Sequence, residues 1–221
     1  MGVIIAMKGH PGTGKSSLAH SIASALKLPL LDKDDVRDST LPVQRALEQL
    51  TSPGDAHAHA HAHASSLLND LSYRAIWQIA STQLRLRLGG LVIDSPLSRR
   101  AHLDRLLDLA SSHGARLVIV ECKPSDQAEW RRRLERRGEA RGGGAGWHKP
   151  ATWRDIERLL DGYAGCTEYD VGGVPRIVVD TTASVGFEEL VSSVVDFICS
   201  HAAPPLPPLD EPNCTSNCSE N

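Results

Sequence analysis

A glycine-rich stretch near the N-terminus, "GHPGTGKSS" at residues 9–17, constrains the fold more than any other feature of the sequence. It matches Gly-x-x-x-x-Gly-Lys-Ser in full, with an apolar run before it and a helical pattern after it. Glycines let backbone N–H groups turn inward around phosphate oxygens, and the N-terminus of the following helix adds partial positive charge. This strand–loop–helix order predicts a phosphate-binding P-loop.

The P-loop predicts how a nucleoside triphosphate and Mg²⁺ would be held. Lys15 would reach the β- and γ-phosphates, and the Ser16 hydroxyl would ligate Mg²⁺. Asp94 ends a later apolar strand in "LVIDSP", where the metal-side carboxylate of a P-loop protein belongs; the alternative is an Asp that caps the next turn. The expected nucleotide-binding residues of the loop are Gly9, His10, Pro11, Gly12, Thr13, Gly14, Lys15, Ser16 and Ser17.

Short apolar runs alternate with helical patterns along residues 1–202, which predicts one domain with a parallel sheet between two layers of helices. We therefore expect a three-layer αβα P-loop NTPase fold with a five-stranded parallel sheet. The predicted strands are Val3–Met7, Leu28–Asp32, Gly90–Asp94, Arg116–Glu121 and Pro175–Asp180. The predicted helices are Ser16–Leu26, Val43–Leu50, Leu67–Leu88, Arg99–His113, Asp126–Arg137, Trp153–Tyr163 and Phe187–His201.

Two segments fall outside this alternation. The low-complexity stretch Ser52–Ser66 alternates His and Ala and predicts a flexible insertion at a surface loop. An extended strand would instead align its histidines on one face as metal ligands; these are His57, His59, His61 and His63. Residues 203–221 are Pro-rich and then polar, which predicts a disordered tail.

Acidic and basic residues follow the second predicted strand in "LLDKDDVRDST". At the carboxyl end of a parallel strand, a carboxylate can accept a proton from a substrate hydroxyl, and Arg37 can hold a polar or anionic substrate group. Equally, Asp34 or Asp35 can simply cap the next helix. The residues alone leave both interpretations open.

Four stretches in this order and spacing resemble small P-loop kinases: "GHPGTGKSSLA", "DKDDVR", "VIDSPLSRR" and "WRRRLERRG". The group includes the kinase domain of polynucleotide 5′-kinases, zeta toxins and chloramphenicol phosphotransferase-like proteins, and the resemblance covers most of residues 3–140. It implies that Asp34 is the general base and that Arg37 contacts the acceptor. It also implies that Arg133 and Arg137 are lid arginines that close on the γ-phosphate, and that the loop of Asp180 and Thr181 borders the adenine ring.

The lid is expected over about residues 123–152. Arg133 and Arg137 are four residues apart and share a helix face, although a solvated basic face is the alternative. The "RGGGAG" that follows predicts a hinge or flexible lid tip. Beyond it, Trp147, His148 and Lys149 could complete the acceptor pocket, or Trp153 and Tyr163 could be ordinary packing residues.

Together these features predict an ATP- and Mg²⁺-dependent phosphotransferase with a small-molecule or nucleotide acceptor. A polynucleotide 5′-hydroxyl kinase is the alternative, but a net charge of −3 and 4% aromatic residues favour it less. A nucleotide-hydrolysing switch without an acceptor is a further alternative. No apolar run is long enough to span a bilayer and no leader sequence is apparent, so we expect a cytoplasmic protein without a membrane partner, with a nuclear location as the alternative.

Overall fold

The computed structural model describes residues 2–49, 55–139, 148–163 and 165–202, without the side chains of residues 48 and 55–61. Its centre is a five-stranded sheet in the order β2-β3-β1-β4-β5, in which every neighbouring pair is parallel. The strands are β1 (Val3–Lys8), β2 (Leu30–Asp32), β3 (Gly90–Asp94), β4 (Arg116–Cys122) and β5 (Arg176–Val179). The predicted fold class is therefore confirmed, and the five strands lie within two residues of their expected bounds.

Eight helices are described, and they cover both faces of the sheet. They are α1 (Lys15–Leu26), α2 (Lys33–Ser39), α3 (Leu41–Gln49), α4 (Asp55–Arg85), α5 (Arg100–His113), α6 (Gln127–Glu139), α7 (Trp153–Tyr163) and α8 (Phe187–Ala202). The short helix α2 was not predicted. It begins directly after β2, where the Asp32 carboxylate accepts a hydrogen bond from the Asp34 backbone N–H and caps it.

The core consists of two apolar layers separated by the sheet. In β1, Ile4 and Ala6 face the layer formed with α4 and α5, whereas Ile5 and Met7 face the layer formed with α1 and α8. Successive side chains of a strand point to opposite faces, so a strand buried on both sides is apolar throughout. This is why the continuous apolar run before the P-loop predicted a central strand.

Helix α4 corrects the prediction for the low-complexity segment. Residues 55–66, expected as a flexible loop, form the first turns of this 31-residue helix. Alanine has the highest helix propensity, and Ala64 is already buried in the core. An extended strand over these residues is likewise wrong, because residues 55–66 are helical. Groups of potential metal ligands are absent among the side chains that the structure describes.

Three other predictions fall outside the described residues: the "RGGGAG" lid tip, Trp147 and the tail from residue 203. Of the helices that are described, none combines the length and the apolarity needed to cross a bilayer.

Candidate functional site

The loops and helices that follow the five strands meet at the carboxyl edge of the sheet, where ligands bind in open α/β folds. They surround a cavity of about 880 Å³. The P-loop, the lid helix α6 and the loop after β5 line one half of it, which we call the donor half. Helix α2, helix α4, the loop after β3 and residues 148–150 line the other half, which we call the acceptor half.

The P-loop adopts a backbone that requires its glycines. Gly9, Gly12 and Gly14 have φ angles of 144°, 83° and 81°, in the region that side chains disfavour. A Cβ at Gly9 would lie 2.7 Å from the Cys122 carbonyl oxygen. Of the nine predicted loop residues, seven line the cavity: His10, Pro11, Gly12, Gly14, Lys15, Ser16 and Ser17. The other two, Gly9 and the buried Thr13, do not line the cavity.

Lys15, at the start of α1, and Asp94, at the end of β3, form a buried ion pair beside the loop. Burial opposes the charge of Lys15, but the Asp94 carboxylate more than offsets this and raises the pKa of Lys15. Asp94 Oδ2 is buried and has no hydrogen-bond partner among the residues that the structure describes. Mg²⁺ prefers oxygen ligands, so this carboxylate oxygen and the Ser16 hydroxyl in the first turn of α1 are suited to hold it.

Asp34 lines the acceptor half and is surrounded by cationic side chains. Its Oδ1 lies 2.9 Å from Lys33 Nζ and 3.1 Å from His148 Nε2, and its Oδ2 lies 2.7 Å from Lys149 Nζ. Burial raises the pKa of Asp34, but the hydrogen bond from His148 and the charges of the two lysines outweigh it, so the pKa is well below the usual range. Asp34 is therefore an ionised carboxylate that joins α2 to His148 and Lys149.

Arg37, expected to contact the acceptor, lies away from the cavity. Only 1% of the residue is exposed, and its guanidinium donates hydrogen bonds to Thr40 Oγ1 (2.6 Å), Gln44 Oε1 (3.3 Å) and Ser65 Oγ (3.1 Å). These partners belong to α3, α4 and the turn between α2 and α3. These bonds direct Arg37 toward the packing of α2 against the later helices, and its contact with an acceptor stays a prediction.

The two predicted lid arginines both line the cavity from α6. Arg133 donates to Glu129 (2.6 Å) and to the Thr181 carbonyl oxygen (2.8 Å), and Arg137 donates to the Pro150 carbonyl oxygen (3.0 Å). Arg136, between them in sequence, is exposed and also lines the cavity. Three arginines of the basic run of α6 therefore face the cavity rather than only solvent.

Helices α6 and α7 rest on the P-loop through aromatic contacts. Trp130 Nε1 donates a hydrogen bond of 2.9 Å to the Pro11 carbonyl oxygen, and the His10 ring stacks against Trp130 and Tyr163 with centroids 6.1 Å away. Trp153 is buried against Trp130, so it is a packing residue. Of the residues left open by the sequence, His148, Lys149 and Tyr163 line the cavity.

The loop after β5 contributes to the site differently from the prediction. Asp180 does not line the cavity; it accepts hydrogen bonds from Ser125 and Thr182 and ties this loop to the one after β4. Thr181 does line the cavity, and its hydroxyl donates to the Thr13 carbonyl oxygen (2.6 Å). Half-exposed apolar side chains follow it along the cavity wall, among them Val185 and Phe187.

Sequence reasoning missed most of the acceptor half. Its unpredicted lining residues are Lys33, Asn69, Tyr73, Ser98, Arg99 and His102. Two signals were available: Asn69 and Tyr73 are four apart on α4 and share a face, and Arg99 lies within the "VIDSPLSRR" stretch. Neither signal indicates a substrate pocket until α4 is placed beside the sheet.

Comparisons with known proteins agree with this fold. No curated protein sequence matches the chain. Similar solved structures include a sugar kinase from Janibacter sp. (14% identity, TM-score 0.57, covering 92% of this chain and 100% of that one). They also include a gluconokinase from Sinorhizobium meliloti (18% identity, TM-score 0.56, 91% and 93%) and Chaetomium thermophilum Kti12 in complex with ADP-AlF3 (16% identity, TM-score 0.54, 91% and 100%). At such identities the likeness concerns the fold.

The narrower resemblance to polynucleotide 5′-kinases and zeta toxins stays a prediction after these comparisons. A family model described as an AAA domain (AAA_33) matches residues 4–160, which begin in β1 and end in α7. This range contains the P-loop, the acceptor half and the lid helix, and it spans well over half of the chain. The protein therefore belongs to this AAA domain family.

Proposed function

We propose that the protein is an ATP- and Mg²⁺-dependent phosphotransferase that moves the γ-phosphate to a hydroxyl group of a small molecule. The observation that carries this proposal is the position of Asp34, an ionised carboxylate that faces the same cavity as the P-loop from the opposite half. A nucleotide-binding loop alone would suit a hydrolase or a switch equally well. A carboxylate in a second, polar half supplies what a hydroxyl acceptor needs.

In the donor half, the proposed roles follow from charge and position. The P-loop backbone and Lys15 hold the phosphates, and Lys15 exchanges its Asp94 contact for phosphate oxygens. Ser16 and Asp94 hold Mg²⁺, which neutralises charge on the β- and γ-phosphates when bound. The apolar wall at Val185 and Phe187, rather than Asp180, borders the base.

In the acceptor half, Asp34 accepts a hydrogen bond from the substrate hydroxyl. The hydroxyl oxygen forms a bond to the γ-phosphorus while the bond from that phosphorus to the β–γ bridging oxygen breaks, and the hydroxyl proton passes to Asp34. Because the lowered pKa makes Asp34 a weak base, the proton moves late, after the bond to the leaving group has largely broken. Asp34 therefore acts first by orienting the hydroxyl.

The lid arginines balance the charge that develops on the transferring group. Arg133 and Arg137 reach the cavity from α6, and Lys149 reaches it from the segment before α7. Together these elements limit the entry of water, which competes with the substrate hydroxyl for the phosphoryl group.

The first test of the proposal is acceptor dependence together with Asp34→Asn. Purified protein with labelled ATP, Mg²⁺ and a broad metabolite extract should form a labelled product, detected by mass spectrometry. Asp34→Asn should lower kcat by roughly 100-fold or more while the Kd for ATP changes little, because the carboxylate acts on the acceptor.

The matched control is Asp35→Asn, since Asp35 is the exposed neighbour on the same helix and should leave turnover unchanged. If no acceptor changed the rate of ATP consumption and Asp34→Asn left that rate unaffected, the proposal would be overturned and a nucleotide-hydrolysing switch would be indicated.

A further inference from the structure

The acceptor half of the cavity carries an excess of positive charge. Among its described lining residues, Lys33, Arg99 and Lys149 are cationic and Asp34 is anionic. Both lysines contact the Asp34 carboxylate, so one negative charge is shared between two positive ones. Arg99 adds a third positive charge, although the chain as a whole has a net charge of −3.

Arg99 is the cation of this half that is available to a ligand. It is exposed, it lines the cavity, and its guanidinium makes no ion pair or hydrogen bond with any residue that the structure describes. Ser98, beside it, also lines the cavity and is largely buried. A guanidinium and a hydroxyl side by side match the oxygens of a carboxylate or phosphate.

The loop that carries Arg99 is held firmly in place. Leu97, two residues before it, is buried and has a φ angle of 46°, which is unusual for a residue other than glycine. The Tyr169 hydroxyl donates a 2.6 Å hydrogen bond to the Leu97 carbonyl oxygen, and the Gly9 N–H donates to the Pro96 carbonyl oxygen (3.2 Å). Such contacts fix the direction in which Ser98 and Arg99 leave the sheet.

Tyr73 of α4 lines the cavity together with Arg99 and Asp34, and the charges of both act on it. Lys33 Nζ, which pairs with Asp34, lies 5.6 Å from the centroid of the Tyr73 ring. The His102 ring packs against the same tyrosine, with centroids 4.0 Å apart, and follows Arg99 in the first turn of α5. An acceptor that reaches both Asp34 and Arg99 therefore shares the cavity with the Tyr73 ring.

We propose, resting on the phosphotransferase function above, that the acceptor is a small hydroxy compound that carries a carboxylate or phosphate group in addition to its reactive hydroxyl. Arg99 binds this anionic group, with Ser98 beside it, and Asp34 binds the hydroxyl. Neutral hydroxy compounds of the same size are poor acceptors, because they have no anionic group that forms a charge-assisted hydrogen bond with Arg99.

The test separates acceptors by charge. A metabolite extract is divided by anion exchange into a retained and a flow-through fraction, and each is incubated with the protein, Mg²⁺ and ATP labelled on the γ-phosphate. Labelled product should arise from the retained fraction. Product from the flow-through fraction alone would overturn the anionic acceptor and leave the proposed phosphotransferase intact. No product from either fraction, with continuing ATP hydrolysis, would overturn both.

Two treatments of the retained fraction identify the source of the anion. If phosphatase treatment abolishes product formation, the group is a phosphate; if product formation survives, it is a carboxylate. Loss of product after digestion with a single-strand nuclease would overturn the small-molecule acceptor and favour a polynucleotide.

With the acceptor purified from the retained fraction, Arg99→Gln should raise its KM by about tenfold or more, because a charge-assisted hydrogen bond is lost. The KM for ATP should change far less, and Arg99→Lys should restore part of the acceptor affinity. Arg105→Gln removes an exposed positive charge from α5, the helix that follows Arg99, outside the cavity and serves as the control. An unchanged acceptor KM in Arg99→Gln would overturn the role of Arg99.

Discussion

At the scale of single residues, His102 lines the acceptor half without adding to its positive charge at physiological pH. Its ring packs against Tyr73 and Trp77, and its Nδ1 is buried without a hydrogen-bond partner among the described residues. Burial and then the nearby charge of Arg99 lower the pKa of His102 to about 4. His102 is therefore neutral at physiological pH, and the positive charge of this region comes from arginine and lysine side chains.

Replacing His102 by Phe should remove a pH dependence of stability. A histidine whose pKa is lowered on folding binds a proton more readily in the unfolded state, so protonation favours unfolding. The free energy of unfolding is therefore highest above the ordinary pKa of 6.5 and falls as the pH drops toward about 4. Between pH 7 and pH 5 the wild-type protein should lose about 2 kcal/mol from this group, and His102→Phe should not. Urea unfolding at both pH values measures the difference.

The control for this prediction is His20→Gln, because His20 is an exposed histidine of α1. This variant should follow the wild-type dependence on pH. If the free energy of unfolding changed equally with pH in the wild type and in His102→Phe, His102 would titrate alike in the folded and unfolded states.

At the scale of elements, the ends of β1 and β4 are joined by charge rather than by apolar packing. Lys8 and Glu121 are register partners, and Lys8 Nζ lies 2.7 Å from Glu121 Oε1, with both side chains buried. Lys123 and Arg176 approach the same carboxylate from the surface. Burial favours the neutral form of Glu121, but the hydrogen bond from Lys8 and the three positive charges outweigh it and lower its pKa.

Glu121→Gln should therefore destabilise the protein by roughly 3–5 kcal/mol at neutral pH, since it leaves Lys8 buried without its counter-charge. The lowered pKa means that the carboxylate contributes stability above its ordinary pKa of 4.5 and loses it as the pH falls below that value. The difference in the free energy of unfolding between Glu121→Gln and the wild type should thus become smaller in acid. Chemical denaturation at neutral pH and below pH 4.5 tests both statements.

Glu168→Gln is the matched control, because Glu168 pairs with Lys123 at the exposed surface and should change stability by at most about 0.5 kcal/mol. A loss of similar size in both variants would mean that the buried pair contributes no more than a surface pair.

The central strands and the P-loop could be predicted because their signals are local: a strand buried on both faces is apolar throughout, and the glycine spacing is contiguous. Most of the acceptor half could not, because Asn69 and Tyr73 reach the site only through the packing of α4. The direction of Arg37 could not be predicted for a related reason: it depends on Gln44 and Ser65, which belong to later helices. A charged residue near a strand end is thus a site residue or a packing residue according to contacts that lie far along the chain.

At the scale of the whole molecule, helix α6 of the predicted lid shares a small core with α7. Leu134, Trp153 and Ile156 of these helices are buried against one another, apart from the two layers that cover the sheet, and we call them the lid core. We expect this separation to let α6 and α7 keep their shape while their contacts with the P-loop open and close. The lid core should therefore determine how well water is excluded, whereas the sheet layers determine whether the protein folds.

Ile156→Ala and Ile198→Ala test this division, since both isoleucines are buried but lie in the lid core and in the layer under α8, respectively. Ile198→Ala should lower the free energy of global unfolding by about 2–5 kcal/mol and leave the ratio of phosphoryl transfer to ATP hydrolysis unchanged. Ile156→Ala should shift the unfolding midpoint less and lower that ratio several-fold, because a loosened lid admits water to the γ-phosphate. Transfer and hydrolysis are measured in one reaction from labelled product and free phosphate, beside denaturant unfolding of each variant. Equal ratios in the two variants would show that the lid core does not control the access of water to the site.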